Sequence, residues 1–163
     1  MFLPDYHLQS LLQIDFGFLE KAGLRALVLD VDNTLTTHGN PAPASGVLAW
    51  IGEMRAKGLP MLIVSNNSHE RVEPFARLLG LEFVSRGAKP LPAGFRRAQE
   101  RFGLPAAQIG AVGDQIFTDI LGGNLAGLTT ILVDPITPET GPFFRFKRKL
   151  EKPFIRRMNR QKK

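Results

Sequence analysis

Short blocks of apolar residues alternate along the chain with segments in which apolar positions recur every three or four residues. The apolar blocks predict five strands, at residues 25–31, 59–65, 81–85, 109–112 and 129–133. The segments with helical spacing predict five helices, at residues 8–20, 44–57, 68–79, 90–102 and 117–126. Strands that alternate with helices in this way predict an α/β fold, with a mostly parallel sheet and helices on both faces.

Two carboxylates stand at the end of the first predicted strand. Asp30 and Asp32 follow the apolar run 27–29, and their i, i+2 spacing places both side chains on the same side of the strand. Neighbouring carboxylates raise each other's pKa unless a cation or a shared proton relieves them. The pair therefore favours a site with chemistry to perform. The alternative is a turn in which Asp32 or Asn33 bonds the local backbone.

Polar residues also follow the second and third predicted strands. Ser65 ends the second strand, where a hydroxyl and backbone amides at the start of a helix can accept a phosphate oxygen. Capping of that helix by Asn67 or Ser68 is the alternative. Lys89 lies in a tight loop after the third strand, and its alternative is a solvated surface lysine.

Two more acids, Asp114 and Asp119, follow the fourth predicted strand. Their alternative is a helix start, with Asp114 or Thr118 as the N-cap. Because ligands bind at the carboxyl ends of strands in sheets of this kind, we expect all four segments to meet in one site.

Taken together, these residues make chemical sense as a phosphoryl-transfer site. Asp30, Asp32 and Asp114 can supply hard oxygen ligands to Mg²⁺. Ser65 and Lys89 can bind the remaining phosphoryl oxygens. Asp30 is then the nucleophile that forms an aspartyl-phosphate, and Asp32 is the acid that protonates the leaving alcohol and later activates water.

The order of these motifs resembles motifs I to IV of the haloacid dehalogenase-like (HAD) phosphatases. The matching stretches are D-x-D-x-T at 30–34, S-N-N at 65–67, K-P at 89–90 and G-D-x-x-x-x-D at 113–119. They cover roughly residues 24–134 and look like the YqeG-type branch of subfamily IIIA. That branch has a Rossmann-like sheet, and its relatives include the phosphatidylglycerophosphate phosphatases.

The resemblance implies a role for each matching residue. Asp30 takes the place of the nucleophile, which is also a metal ligand. Asp32 takes that of the acid/base, with its backbone carbonyl as the metal ligand. Asp114 matches the third metal ligand. Asp119 corresponds to a water-mediated metal ligand or to a partner that orients Lys89.

Three residues are expected to bind substrate, and no cap domain is expected above them. Ser65 and Lys89 match the phosphate-binding residues of the family, and Asn66 is expected beside them. The segments 35–43 and 86–89 occupy the points where HAD enzymes usually insert a cap, and both are too short to fold as a domain. The site should therefore be open, or be covered by self-association.

Composition adds an unusual distribution of charge to this picture. The net charge is +6, but residues 145–163 hold ten of the 21 Lys and Arg and only one of the 15 acids. Residues 1–144 therefore carry 11 basic and 14 acidic residues, a net of −3. We expect a single phosphatase domain at 1–141, with a helical lead-in at 1–23, and a basic tail at 142–163.

The tail has an amphipathic pattern. On a helical wheel the apolar residues of one side are Phe143, Phe146, Leu150, Phe154 and Met158. Large apolar groups opposite Lys and Arg are typical of a helix on an anionic membrane surface. Residues 143–163 could therefore contact a membrane; packing onto the domain and binding of RNA are the alternatives.

The absence of cysteine excludes disulfides and thiolate metal sites and suits a reducing compartment. No apolar stretch approaches the roughly 18 residues that span a membrane, and the first residues do not resemble a signal peptide. We expect a cytoplasmic protein, or one peripheral on the inner membrane face. His7, His38 and His69 are expected to be structural or exposed.

The sequence thus predicts a Mg²⁺-dependent phosphomonoester hydrolase with phosphatidylglycerophosphate as its leading substrate. A soluble phosphomonoester is the alternative substrate. A weakly catalytic protein that associates with RNA or the ribosome through its basic tail is the alternative of another class.

Overall fold

The computed structural model describes residues 1–137, residue 141 and residues 149–154. Its centre is a six-stranded parallel sheet with the order β1-β6-β5-β2-β3-β4. The strands are β1 Tyr6–Leu8, β2 Ala26–Leu29, β3 Met61–Val64, β4 Glu82–Val84, β5 Ile109–Gly113 and β6 Thr129–Val133. The predicted α/β sheet is confirmed, with one strand more than the five expected.

Helices connect successive strands. They are α1 Phe16–Ala22, α2 Val47–Ala56, α3 His69–Leu79, α4 Ala93–Phe102 and α5 Leu121–Leu125. Short 3₁₀ turns lie at Leu11–Gln13 and Ala106–Gln108, and a π-helical turn at Ile116–Ile120 leads into α5. Residues 149–154 are also helical. The helix predicted at 117–126 thus begins as a π-helical turn, a feature that often marks a functional site.

The N-terminal segment differs from the helix predicted at residues 8–20. Residues 6–8 form β1, which pairs with β6 at the sheet edge. Two N-caps then divide the rest of the segment. Ser10 caps the 3₁₀ turn, where its Oγ accepts a hydrogen bond from the N–H of Leu12, and Asp15 caps α1, where its Oδ1 accepts one from the N–H of Phe18. The prediction of one helix at residues 8–20 was therefore wrong, because the segment is divided between the end of β1, a 3₁₀ turn and α1. With three residues, β1 is too short to show an alternating pattern.

The sheet is covered on both faces. Along β2, Leu27 and Leu29 pack into the core on the side of α1, α2 and α3, while Ala26 and Val28 pack on the side of α4. Because successive residues of a strand point to opposite faces, a strand buried on both sides reads as a continuous apolar run. The apolar run in β2 is the pattern from which the strand at residues 25–31 was predicted.

The strand order reverses beside β2. The chain runs from β2 through β3 to β4 on one side, and then returns to β5 and β6 on the other. Such a switch point opens a crevice at the carboxyl ends of the strands, where ligands bind. The connections from β2 to α2 and from β4 to α4 contain no inserted domain, as the sequence predicted. Among the described residues, no helix has the length and apolar character to cross a membrane.

The described part of the tail packs against the domain. The ring of Phe154 lies 5.5 Å from that of Phe2 and 6.1 Å from that of Phe117, and Glu151 is buried. For residues 149–154 this favours the packing alternative, because Phe154 faces the domain instead of a membrane. Leu150, which shares the apolar side of the wheel, is 46% exposed, and the positions Phe143, Phe146 and Met158 lie outside the described residues.

Candidate active site

The first motif leaves the end of β2 in an extended conformation and then turns back sharply. The backbone N–H of Asp30 donates to the carbonyl of Val112 at 2.9 Å, which continues the pairing of β2 with β5. Asn33 adopts a left-handed conformation with φ 59°, and its N–H donates to the carbonyl of Thr36 at 2.7 Å. The turn keeps Asp30 and Asp32 in the crevice.

Three donors hold the side chain of Asp32. Asn67 Nδ2 donates to its Oδ2 at 2.6 Å, while Gly39 N–H donates to its Oδ1 at 3.0 Å and Arg71 Nη2 lies 3.4 Å from the same oxygen. Two of these donors come from the segment that follows β3, so the carboxylate does more than close a local turn. These donors restrict the side chain of Asp32 to one orientation.

Lys89 is buried between two carboxylates. Only 4% of its side chain is exposed, and Nζ lies 2.5 Å from Asp30 Oδ1 and 2.6 Å from Asp119 Oδ1. The alternative of a solvated surface lysine is therefore wrong. Asp119 orients the lysine directly, which is one of the two roles that the resemblance implied for it.

Asn66 fixes the loop that carries this lysine. Its Nδ2 donates to the carbonyl of Lys89 at 3.0 Å, and its Oδ1 accepts from the N–H of Lys89 at 2.7 Å. The side chain of Asn66 therefore positions the lysine. A direct contact of Asn66 with substrate stays a prediction.

The loop after β5 places two more carboxylates in the same crevice. Asp114 and Asp119 are both buried, and Asp119 Oδ2 accepts a hydrogen bond from the N–H of Gln115 at 3.2 Å. Gly113 leaves room for Asp119, since a Cβ there would lie 2.3 Å from Asp119 Cγ. Gln115 occupies the N-cap position without a capping bond from its side chain. The alternative that Asp114 or Thr118 is the N-cap is therefore wrong.

Three carboxylates converge beneath the pocket. Oxygens of Asp30, Asp114 and Asp119 all lie within 4.8 Å of one another. Against them stands the ammonium of Lys89, so three acids and one cation leave a formal charge of −2. This arrangement of hard oxygen donors fits a divalent cation such as Mg²⁺. The carboxylate of Asp32 is outside the group, in keeping with the metal contact through its backbone carbonyl that the resemblance implied.

Burial and neighbouring charges shift the pKa values of Asp30 and Lys89. Burial raises the pKa of Asp30 to about 7, the charge of Asp119 adds to the rise, and Lys89 opposes it. Burial alone would lower the pKa of Lys89, but the charges of Asp119 and Asp30 outweigh it and raise that pKa above its usual value. Lys89 is therefore a permanent cation in this site.

The pocket above these groups has a volume of about 160 Å³. It is lined by Asp30, Asp32, His38, Ser65, Asn66, Asn67, Lys89, Gln115, Thr118 and Asp119. Pockets for drug-sized ligands start at roughly 300 Å³, so this one suits a phosphoryl group and the atoms next to it. Ser65 is buried at its base, and Ser65 Oγ accepts a hydrogen bond from the N–H of Asn67 at 3.2 Å.

Sequence reasoning missed four residues of this site. Asn67 and Arg71 contact Asp32, while His38 and Thr118 line the pocket. His38 is exposed, as expected, but lies at the mouth of the pocket. Asn67 and Arg71 are four residues apart, a spacing that indicates that both side chains lie on the same side of a helical turn. It could not reveal their partner, which lies 35 and 39 residues earlier in the chain.

The sequence is similar to those of known proteins. The profile of the haloacid dehalogenase-like hydrolases matches residues 17–127. The chain is 34% identical over 160 residues to the probable phosphatase YqeG of Bacillus subtilis (strain 168), covering 98% of this chain and 93% of that protein. It is 31% identical to phosphatidylglycerophosphate phosphatase 1, chloroplastic/mitochondrial, of Arabidopsis thaliana, over 98% of this chain but only 49% of that protein.

The solved structures agree on the fold. The D,D-heptose 1,7-bisphosphate phosphatase from B. bronchiseptica, complexed with magnesium and phosphate, superposes with a TM-score of 0.56 at 18% identity, covering 67% of this chain and 80% of that one. At this identity the likeness shows the fold alone. The matches over nearly the whole chain place the protein among the haloacid dehalogenase-like hydrolases, in the branch of phosphatases that contains YqeG.

Proposed function

We propose that the protein is a Mg²⁺-dependent phosphomonoester hydrolase that works through an aspartyl-phosphate on Asp30, with phosphatidylglycerophosphate as its substrate. The observation that carries the chemistry is the buried Lys89 between Asp30 and Asp119, in a group of three carboxylates below a small pocket. A carboxylate nucleophile, a fixed cation and a site for a second cation are what attack on a phosphate dianion requires.

In the first step a carboxylate oxygen of Asp30 attacks phosphorus and the bond from phosphorus to the ester oxygen breaks. Asp32, in its protonated form, gives its proton to the departing oxygen. Asn67 and Arg71 then stabilise the carboxylate that Asp32 becomes, since both donate to it. The products of this step are the alcohol and the phosphorylated Asp30.

In the second step the carboxylate of Asp32 takes a proton from water, and the resulting hydroxide attacks phosphorus. The bond between phosphorus and Asp30 breaks, phosphate leaves and both aspartates return to their initial state. Lys89 stabilises negative charge on the phosphoryl oxygens in both steps, and Ser65 is expected to donate to one of them.

The carboxylates of Asp30 and Asp114, with the backbone carbonyl of Asp32, would hold Mg²⁺, and Asp119 lies in the same group. When bound, the ion neutralises the repulsion between the carboxylate nucleophile and the phosphate dianion. The formal charge of −2 on the group supports this assignment.

Two observations support a lipid as the substrate. The pocket has room for little beyond the phosphoryl group, and in the described part of the chain no inserted domain covers it, so we infer that the rest of the substrate lies outside. A bulky phosphomonoester held in a membrane fits such an open site. In addition, two relatives of this chain, from Arabidopsis thaliana and Chlamydomonas reinhardtii, are named phosphatidylglycerophosphate phosphatases.

The chemistry is tested with Asp30→Asn. We expect no phosphate release, because an amide is a poor nucleophile, and an unchanged fold. The intact wild-type chain should gain the mass of one phosphoryl group when it is quenched during turnover, and the variant should not. Phosphate release by the variant at a near wild-type rate would rule out the covalent mechanism.

The substrate is tested by comparing phosphatidylglycerophosphate in anionic vesicles with glycerol 3-phosphate in solution. We expect a higher kcat/KM for the lipid. An equal or higher value for the soluble ester would favour the alternative of a soluble phosphomonoester.

Contact of the tail with the membrane is tested separately, through its charges. Truncation is unsuitable, because Glu151 and Phe154 pack on the domain. Exchanging the exposed Lys149 and Lys152 for glutamine should instead weaken sedimentation with anionic vesicles, at about 1 kcal/mol per cation at low salt, and spare the soluble ester. Unchanged sedimentation with reduced retention on RNA would favour the RNA alternative.

A further inference from the structure

A buried carboxylate from the tail contacts the loop that carries two acids of the site. Glu151 is 0% exposed, and its Oε1 accepts a hydrogen bond from the backbone N–H of Ile116 at 3.0 Å. Ile116 is itself fully buried and begins the π-helical turn after β5. The first N–H groups of a helix have no partner within it, so this buried one depends on an acceptor from elsewhere in the chain.

The same loop is held by carboxylates at two successive peptide groups. The N–H of Gln115 donates to Asp119 Oδ2, and the next N–H, that of Ile116, donates to Glu151. The other oxygen of Asp119 binds Lys89 at 2.6 Å. Glu151 therefore holds the stretch between Asp114 and Asp119 from outside, while Asp119 holds it from within the site.

The aromatic contacts of the tail reinforce this position. Phe154 packs edge-to-face against Phe117, the residue after Ile116, and both rings also contact Phe2. Glu151 thus enters the loop from a short helix whose docking depends on these rings. A fully buried carboxylate needs hydrogen-bond or charge partners, and the N–H of Ile116 is one partner of Glu151.

We propose that Glu151 is a positioning residue, whose hydrogen bond to Ile116 holds Asp114 and Asp119 in the arrangement that binds the divalent cation. Groups that orient metal ligands from outside typically change metal affinity by about 10- to 100-fold when they are lost. This inference rests on the proposed function, because it assumes that the carboxylate group of the site binds a metal.

The test measures Mn²⁺ binding to the full chain by the electron paramagnetic resonance of free Mn²⁺. Phosphate release from the soluble ester glycerol 3-phosphate is measured in parallel. The variants are Glu151→Leu, which removes the acceptor, and Glu151→Gln, which keeps an acceptor oxygen and loses the charge. Lys152→Gln is the matched control, because it changes an exposed charge in the same helix. We expect Glu151→Leu to weaken Mn²⁺ binding about 10-fold or more, and the other two to stay within about threefold of wild type.

A purely structural role makes a different prediction. Glu151→Leu would then lower the Tm and leave the Mn²⁺ affinity of the folded chain within twofold of wild type, which would overturn the proposal. Equal losses for the leucine and glutamine variants would also overturn it, because the charge would then matter and the hydrogen bond would not. If Glu151→Leu does not fold, Glu151→Asp withdraws the carboxylate by one methylene, and unchanged Mn²⁺ affinity in that variant overturns the proposal.

Failure of the proposed function has a separate signature. Asp114→Asn would then leave Mn²⁺ binding unchanged, both in wild type and in the Glu151 variants. If wild type binds Mn²⁺ in the site and the Glu151 variants bind it with the same affinity, the inference fails and the proposed function remains.

Discussion

Replacing Lys89 with methionine should lower both the stability of the fold and the rate of phosphate release. Methionine has a similar length but no charge, so the change leaves Asp30 and Asp119 facing each other without the ammonium that lies 2.5 and 2.6 Å from them. Because only 4% of the lysine side chain is exposed, water cannot readily replace the ammonium group. Both carboxylates then stay buried without their counter-charge.

The expected loss of stability follows from this burial. Removing one partner of a buried ion pair costs about 3–5 kcal/mol. In a chain of 163 residues each kcal/mol lowers the Tm by roughly 2–4 °C, so the Tm in chelator should fall by about 6–20 °C. Added Mg²⁺ should raise the Tm of the variant more than that of wild type, because the ion supplies the missing positive charge.

The expected loss of activity has a separate cause. Removing one group that stabilises charge in the transition state costs about 2.7–4 kcal/mol, or roughly 10²- to 10³-fold in kcat. Lys89→Arg is the matched control, since it keeps the charge and should retain more activity than the methionine variant. Differential scanning fluorimetry with chelator or Mg²⁺ gives the Tm, and phosphate release at saturating substrate gives kcat.

A kcat within twofold of wild type, together with a Tm within about 2 °C of wild type, would refute this reasoning. Lys89 would then carry neither the charge balance nor the phosphoryl contact. A large fall in Tm with unchanged kcat would retain the structural role and reject the catalytic one.

Three further predictions concern other parts of the site. Asn67→Ala should lower kcat about tenfold with little change in Tm, because it removes the 2.6 Å hydrogen bond that orients Asp32; an unchanged kcat would show that the remaining donors suffice. Gly113→Ala should weaken Mn²⁺ binding and lower the Tm, because its Cβ would lie 2.3 Å from Asp119 Cγ; normal binding in a titration would show that the loop adapts. The raised pKa of Asp30, about 7 against 3.8, means that the metal-free folded chain keeps a proton that the unfolded chain releases. The Tm of wild type relative to Asp30→Asn in chelator should therefore fall as the pH rises from about 4 to 7, and a constant difference across that range would contradict the shift.

The sequence alone was sufficient for features that are encoded over a few neighbouring residues. The apolar run before Asp30 predicted a strand buried on both faces, and the order of strands and helices predicted the parallel sheet. Since the carboxyl ends of parallel strands meet at one edge, the sequence also predicted that Asp30, Ser65, Lys89 and Asp114 lie in one place, as they do. The three-residue β1 lacked such a pattern, because its pairing with β6 depends on residues more than 120 positions away.

The tertiary structure decided which partner each polar side chain has. Asn66 holds the backbone of Lys89, Asn67 holds Asp32, and Glu151 reaches Ile116 across 35 positions of the chain. The local sequence does not show which partner each of these side chains has. Their roles depend on burial, because a hydrogen bond or an ion pair contributes most where water cannot compete for it, and burial arises only when distant segments pack together.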